Sequence, residues 1–202
     1  DRAGAINAIG SGTLVVGRTL DYGESEIKAY GNGDWAGGYA ANSNATIYAS
    51  GGNGDDNVAG NFGGSMAFGF ADATGQIKTQ KRGSLAFGHA LGDYTGGYGS
   101  TVITGQLSAN GVGSLVFGSA NLGLIASTGT GSVAIGNAIA YSNSQNAIEG
   151  NAIIKATGTG SFAIGSADMS FLTDTSGEGF VSSIITHGEG SVAMGSAYTD
   201  DT

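Results

Sequence analysis

One recurring segment dominates this sequence, and its repetition is the strongest constraint on the fold. The segment GTGSVAIGNAIAY at 129–141 has near copies at 81–93, 111–123, 158–170 and 188–200. Alignment gives two parts, Ile-x-Ala-x-Gly-x-Gly and then Ser-x-Ala-x-Gly-x-Ala, and with weaker copies included most spacings of the second part fall between 14 and 21 residues. Self-similarity at a short period is typical of a solenoid, in which each unit stacks on its neighbours.

The first part of the repeat alternates with a period of two residues and therefore predicts a β-strand. Ile27 and Ala29 point to one side of this strand, whereas Lys28 and Tyr30 point to the other. We therefore expect one buried face and one face in contact with water.

The second part of the repeat also predicts a strand, but it is apolar on both sides. Large residues such as Val133 and Ile135 lie on one side, and small residues such as Ala134 and Gly136 lie on the other. A strand of this kind usually lies between two layers. A thin solenoid supplies one layer, its own core. The candidates for the second layer are another chain and another row of coils. The alternative is that the Ala/Gly face tolerates contact with water and needs no packing partner.

Glycines separate and align the strands. The sequence Gly-x-Gly-Ser predicts a bend, because Gly accepts positive φ and Ser hydrogen-bonds to nearby backbone. A second glycine recurs inside the second strand and predicts a ladder that lets stacked backbones approach closely. The members of this ladder are Gly69, Gly88, Gly118, Gly136, Gly165 and Gly195.

These patterns predict an all-β chain without helices that forms one elongated domain over residues 1–202. The expected architecture is a parallel β-solenoid or β-roll of roughly ten to twelve coils of about 14 to 21 residues each. Coils are longer and irregular over 1–99 and regular over 100–202. This count includes weaker copies of the repeat, which begin near Asp56, Ser100, Asn146 and Phe180.

Composition excludes several classes of protein. The formal charge of −9 argues against nucleic acid as a partner, and no apolar run approaches the roughly 20 residues of a membrane span. The chain has no Cys and therefore no disulfides or thiolate metal sites. It begins at Asp1 and shows no signal peptide, so we expect an extracellular or cell-surface protein from which the signal peptide has been removed.

Three segments resemble a known family. SVAIGNAIAYSNSQ (132–145), NAIEGNAIIKATGTG (146–160) and SFAIGSA (161–167) are similar to the head repeats of trimeric autotransporter adhesins, which form the YadA-like left-handed parallel β-roll. The similarity is strong over 100–167 and loose over 1–99. It implies a trimer whose apolar strand helps line the interface, an adhesive role and no enzymatic activity. The sequence shows no neck motif, heptad stalk or membrane-anchoring barrel, and such a short motif also arises by convergence in other extracellular rods.

The two ends of the chain read as ordinary repeat sequence. Residues 5–12 match the first part of a unit, and 191–197 match the second part. Because open strand edges invite pairing, we expect the last coil of one subunit to pair with the first coil of the next, which makes a filament. The alternative is that flanking parts of a longer protein have been removed. The predicted self-assembly residues are Ile6, Ala8, Gly10, Val192, Ala193, Met194 and Gly195.

The segment GGNGDDNVA at 51–59 fits a calcium-binding nonapeptide, with Asn53, Asp55 and Asp56 as oxygen donors. The motif normally binds calcium between successive copies, and the sequence has a single copy. The alternative is a Gly/Asn/Asp turn between coils. No other cofactor is expected.

Aromatic residues beside polar stretches are candidates for partner contact, or alternatively for packing between coils. They are Trp35, Tyr39, Tyr48, Tyr94 and Tyr98. No catalytic residues are predicted, because the two histidines fall in different repeats and the repeated Ser recurs too often to be a nucleophile.

Two functions are consistent with the sequence. The first is a structural subunit of an extracellular or cell-surface filament that polymerises head to tail by stacking uncapped solenoid ends. The second is an adhesin head or fibre module of the trimeric autotransporter type that binds a surface glycan or protein. The expected partner is therefore the chain itself, as a filament or a homotrimer, without nucleic acid or membrane insertion.

Overall fold

The structure is a computed structural model that describes residues 4–20, 24–42, 44–51, 63–92, 105–140, 151–171 and 181–200. Sixteen β-strands and no helices occur within these ranges. In chain order the strands are β1 (Ala5–Ile9), β2 (Leu14–Thr19), β3 (Glu26–Tyr30), β4 (Trp35–Ala41), β5 (Thr46–Ser50), β6 (Met66–Asp72), β7 (Gln76–Thr79), β8 (Leu85–Leu91), β9 (Gln106–Ala109), β10 (Leu115–Asn121), β11 (Leu124–Ser127), β12 (Val133–Ile139), β13 (Asn151–Ala156), β14 (Phe162–Phe171), β15 (Val181–Thr186) and β16 (Val192–Asp200).

The strands form two parallel sheets of eight strands each. The first sheet has the order β1-β3-β5-β7-β9-β11-β13-β15, and the second has the order β2-β4-β6-β8-β10-β12-β14-β16. The chain therefore alternates between the sheets, which is compatible with the predicted solenoid or roll. The count of ten to twelve coils is not confirmed, since the described residues supply eight strands per sheet. The weaker copies near Asp56, Ser100, Asn146 and Phe180 begin outside the described residues.

The repeat sets the register of the second sheet. Gly118 of β10 pairs with Gly88 of β8 on one side and with Gly136 of β12 on the other. The same column continues through the remaining strands of the sheet. These glycines have φ values between 128° and 157°, and a Cβ on Gly118 would overlap the carbonyl oxygen of Gly136. The predicted glycine ladder is confirmed, and it exists because strand backbones approach too closely for any side chain.

Isoleucines from the first sheet fill the space between the sheets. Ile125 and Ile154 are fully buried, and the predicted faces of the first strand are confirmed. The Cδ1 atom of Ile125 lies 2.9 Å from the position that a Cβ would take on Gly118 of the second sheet. The inner column is Ile27, Ile47, Ile77, Leu107, Ile125, Ile154 and, next to the open end, Ile184.

The small residues of the second sheet face the interior, and its large residues face outward. Ala86 and Ala90 are fully buried, whereas the outward side chain of Phe117 is 40 % exposed. The interpretation that the Ala/Gly face could meet water is therefore wrong. Because the first sheet already contributes one isoleucine or leucine per coil to a thin interior, the residues opposite it are mostly Ala and Gly, with the fully buried Val116 as an exception.

The Gly-x-Gly-Ser bend is a tight turn held by the serine. Ser132 donates through its backbone N–H (3.2 Å) and through its hydroxyl (2.6 Å) to the carbonyl oxygen of Gly129. Gly131 has a φ of 62°, the left-handed conformation that such a turn requires at this position. The N–H of Gly131 donates to the carbonyl of Val112 in the preceding coil at 2.8 Å, so the turns also stack.

Candidate functional site

The outward side of the second sheet carries two adjacent columns of large apolar side chains, which we call the outer apolar face. They occupy the first and third positions of each strand, and Gly37 takes the third position of β4. The outer apolar face comprises Leu14, Val16, Trp35, Met66, Phe68, Leu85, Phe87, Leu115, Phe117, Val133, Ile135, Phe162, Ile164, Val192 and Met194.

Aromatic rings stack along this face. Phe68 and Phe87 have ring centroids 5.8 Å apart, and Phe87 and Phe117 have centroids 5.1 Å apart, with interplanar angles of 10° and 13°. Side chains in the column cover one another, yet Phe117 and Phe162 remain 40 % exposed. The seven spacings of about 4.8 Å between the eight strands extend this face over roughly 34 Å. The outer apolar face is therefore a candidate interaction surface.

The predicted self-assembly residues lie at opposite ends of the strand stack. Ile6 and Ala8 are on β1, which among the described strands pairs with β3 alone, and Gly10 follows β1 directly. Val192 and Met194 are on β16, whose one neighbour within the described ranges is β14, and these two residues are 63 % and 72 % exposed. Ala193 and Gly195 share this edge strand. The edge strands thus present backbone groups and side chains that internal strands bury against a neighbour.

The predicted aromatic contacts do not form one surface. Trp35 is 40 % exposed on the outer apolar face. Tyr39 lies on the same side of the second sheet, with its ring 5.3 Å from that of Phe70 and the Arg18 guanidinium 5.9 Å from its own centroid. Tyr48 lies in the first sheet and is 8 % exposed, so its ring is packed in the protein. The remaining two, Tyr94 and Tyr98, lie outside the described residues.

The calcium prediction falls on Asn53, Asp55 and Asp56, all outside the described residues. Within the described ranges, no group of three or more His, Cys, Asp or Glu side chains could hold a metal ion. His89 belongs to the second sheet, whereas His187 follows β15 of the first sheet and contacts the Thr157 hydroxyl at 3.1 Å. The part of the chain that the structure describes has no helix suited to spanning a bilayer.

A cleft on the outward side of the first sheet was not predicted from the sequence. We call it the first-sheet cleft; it has a volume of about 320 Å³ and is open to solvent. Its lining comes from three neighbouring strand segments that are far apart in sequence, so periodicity does not reveal it. The lining residues are Glu26, Lys28, Tyr30, Thr46, Tyr48, Lys78 and Gln80.

The fold and these surfaces define a class of protein, an all-β chain of two parallel sheets built from a short Gly- and Ala-rich repeat. Comparisons of the chain with protein-family models, with curated proteins and with solved structures find no match. The function is therefore argued from the surfaces of the molecule itself.

Proposed function

We propose that the protein is a structural subunit of an extracellular or cell-surface filament, a β-solenoid that polymerises head to tail by stacking its end coils. The observation that carries this proposal is the continuity of the residue columns from one edge of the sheets to the other. If β16 of one copy pairs with β2 of the next in the internal register, Gly195 meets Gly17. If β15 likewise pairs with β1, Ile184 meets Ile6.

Such a junction reproduces the contacts found inside the chain. Within the second sheet, glycine pairs with glycine at every step of the ladder. Within the first sheet, isoleucine or leucine pairs with isoleucine or leucine in the same way. Parallel strand addition at both edges would satisfy the edge backbone groups and bury the exposed Ile6 side chain against Ile184 of the neighbouring copy. A head-to-tail contact of this kind does not close, so it produces a filament.

The glycine ladder supplies a test of this junction. A Cβ on Gly195 meets nothing within 4 Å in one chain, whereas a Cβ on Gly165, its internal equivalent, overlaps the carbonyl of Gly195. Gly195→Ala should therefore block stacking through a clash with Gly17 of the next copy. The matched control is Gly190→Ala, because Gly190 and its internal equivalent Gly160 both have open space at the Cβ position. Both substitutions introduce backbone strain at a positive φ.

Negative-stain electron microscopy and sedimentation velocity over a range of concentrations give the readout. We expect filaments for the unchanged protein and for Gly190→Ala, and short particles for Gly195→Ala with an unchanged circular dichroism spectrum. Short isolated particles of the unchanged protein at every concentration, or equal assembly of the two variants, would contradict the proposal.

The outer apolar face supports a second candidate, an adhesin head or fibre module of the trimeric autotransporter type that binds a surface glycan or protein. Three copies that pack through this face would remove its apolar side chains from water, as the resemblance of 132–167 to such heads implies. Light scattering coupled to gel filtration tests it: the unchanged protein should have three times the chain mass, and Phe117→Ser should reduce that mass. Lys155→Ser, on the first sheet, is the control. A monomeric unchanged protein, or a trimer unaffected by Phe117→Ser, would exclude this candidate.

A further inference from the structure

We propose that the outer apolar face binds the same face of a second filament, so that two filaments pack side by side. This inference rests on the proposed head-to-tail filament and names the partner that the filament takes along its length. The occupant of the outer apolar face is therefore another copy of this chain, and the two faces pack sheet against sheet, as in a β-sandwich.

The outer apolar face has no charge and no gap within the described strands. None of its members is ionisable, although the chain carries a formal charge of −9. Gly37 takes the third position of β4, and a Cβ there would lie 2.6 Å from Cε1 of Phe68, so the Phe68 ring fills the space beside it. Two filaments of equal negative charge repel each other least where they meet through such an uncharged surface.

The outer apolar face is open at both edges of the second sheet. Leu14 and Val16 on β2 are exposed, as are Val192 and Met194 on β16. In a head-to-tail junction with the internal register, Val192 would lie beside Leu14 of the next copy. Met194 would likewise lie beside Val16. The outer apolar faces of successive copies then join into one strip that runs along the filament.

The area of this face is too small in one chain and sufficient in a filament. Two columns of side chains form a strip roughly 10 Å wide and 34 Å long, which is about 340 Å² per chain. A stable interface buries about 800 Å² on each partner, and three successive chains of a filament supply about 1,000 Å². The partner that covers such a strip must be as long as the filament itself. A second filament meets this requirement, whereas a compact foreign protein covers only a short part of the strip.

The borders of the strip are polar, which is typical of the rim of a protein–protein interface. On one side, the exposed Thr130 and Thr159 lie in the turns that precede β12 and β14. On the other side, the fifth position of each of the last four strands of the second sheet is polar: Ser119, Asn137, Ser166 and Ser196. The contact is thus confined to the apolar strip, and two strips that cover each other leave no room for a third filament.

The test is the mass per unit length of the filaments, measured by scanning transmission electron microscopy. Phe117→Glu places a carboxylate in the strip of every copy and should halve the mass per unit length, because burial of unpaired charges is costly. The matched control is Leu124→Glu, which adds the same charge on the outward side of the first sheet and should leave the mass per unit length unchanged. Phe162→Glu, at a residue that is 40 % exposed like Phe117, repeats the test if circular dichroism shows that Phe117→Glu does not fold.

The outcomes separate this inference from the proposed filament. Single filaments of the unchanged protein, with the same mass per unit length as Phe117→Glu, would overturn the pairing and leave the filament intact. A threefold difference in mass per unit length, or an equal loss in Leu124→Glu, would also overturn the pairing. Gly195→Ala, which should block stacking, should remain monomeric in sedimentation velocity, and a stable dimer or trimer of it would contradict the argument from area. Absence of any filament would overturn both proposals.

Discussion

Ile154 and Gly136 face each other between the two sheets: a Cβ atom on Gly136 would lie 2.8 Å from Ile154 Cδ1. Ile77 and Gly69 have the same relationship, also at 2.8 Å. At both positions a large side chain of the first sheet thus lies opposite a residue of the second sheet that has no side chain. This relationship determines which substitutions the molecule tolerates.

Gly136→Ala should strongly destabilise the protein. The added methyl group would overlap the backbone carbonyl of Gly165 in the next coil and crowd Ile154, at a φ of 151° that alanine rarely adopts. We expect a loss of at least about 3 kcal/mol in the free energy of unfolding, measured by guanidinium denaturation. Gly131→Ala is the control: its φ is 62° and its Cβ position is open, so the cost should be about 1–2 kcal/mol. Equal losses would show that strain, and not the ladder contact, dominates.

Substitutions on the two sides of β12 should differ in their effect on stability. Ala134 is fully buried against the interior, whereas Ile135 lies on the outer apolar face. Ala134→Leu adds apolar atoms where no space exists and should cost about 1–3 kcal/mol or prevent folding. Ile135→Thr should leave the melting temperature of the isolated chain within a few degrees of the original. A larger loss from Ile135→Thr would contradict the assignment of the two faces.

The turn serine should contribute to stability in proportion to its burial. Ser132 is fully buried, and its hydroxyl contacts the Gly129 carbonyl and the Ser127 hydroxyl, each at 2.6 Å. Ser132→Ala leaves these groups without that partner and should lower the free energy of unfolding by about 2 kcal/mol. Ser191→Ala removes the equivalent bond to Gly188 at a half-exposed site, where water replaces it, and should cost less than about 1 kcal/mol. Chemical denaturation of both variants decides whether burial is the cause.

Asp34 takes the place of the turn serine in its coil, and its replacement should be costly. The buried carboxylate accepts hydrogen bonds from the Gly51 N–H (2.7 Å), the Ser65 N–H (2.9 Å) and the Ser65 hydroxyl (3.0 Å). Asp34→Ala removes the acceptor for three donors and should cost about 3 kcal/mol or more in unfolding free energy. Asp34→Asn keeps one carbonyl oxygen and should cost less. A loss in Asp34→Asn as large as that in Asp34→Ala would show that the negative charge, and not the acceptor geometry, is required.

Much of the fold follows from local pattern. The alternation around Ile27 and Ala29 predicted a strand with one buried face, and both residues are fully buried. The spacing of glycines predicted the ladder through Gly88 and Gly118, which the register confirms. These features were predictable because each depends on neighbours within one repeat, and every coil repeats the same neighbours.

The number of coils and the first-sheet cleft were harder to predict from the sequence. The weaker copies of the repeat begin outside the described residues, which supply eight strands per sheet, so the count of ten to twelve coils stays a prediction. Lys28 and Lys78 line the same first-sheet cleft, two strand spacings apart. They are far apart in sequence, so no local sequence pattern predicts that they share a cleft.

The sequence by itself determined that this chain is all-β, that its strands are parallel and that glycines and serines form the turns between them. Period-two alternation and the Gly-x-Gly-Ser bend depend on residues that are neighbours in the sequence. They can therefore be predicted without knowing how the rest of the molecule packs. Only the tertiary structure decided that Ala134 faces inward and Ile135 outward. Both faces of that strand are apolar, and the choice depends on how little space remains once the opposite sheet has contributed Ile154 to the interior.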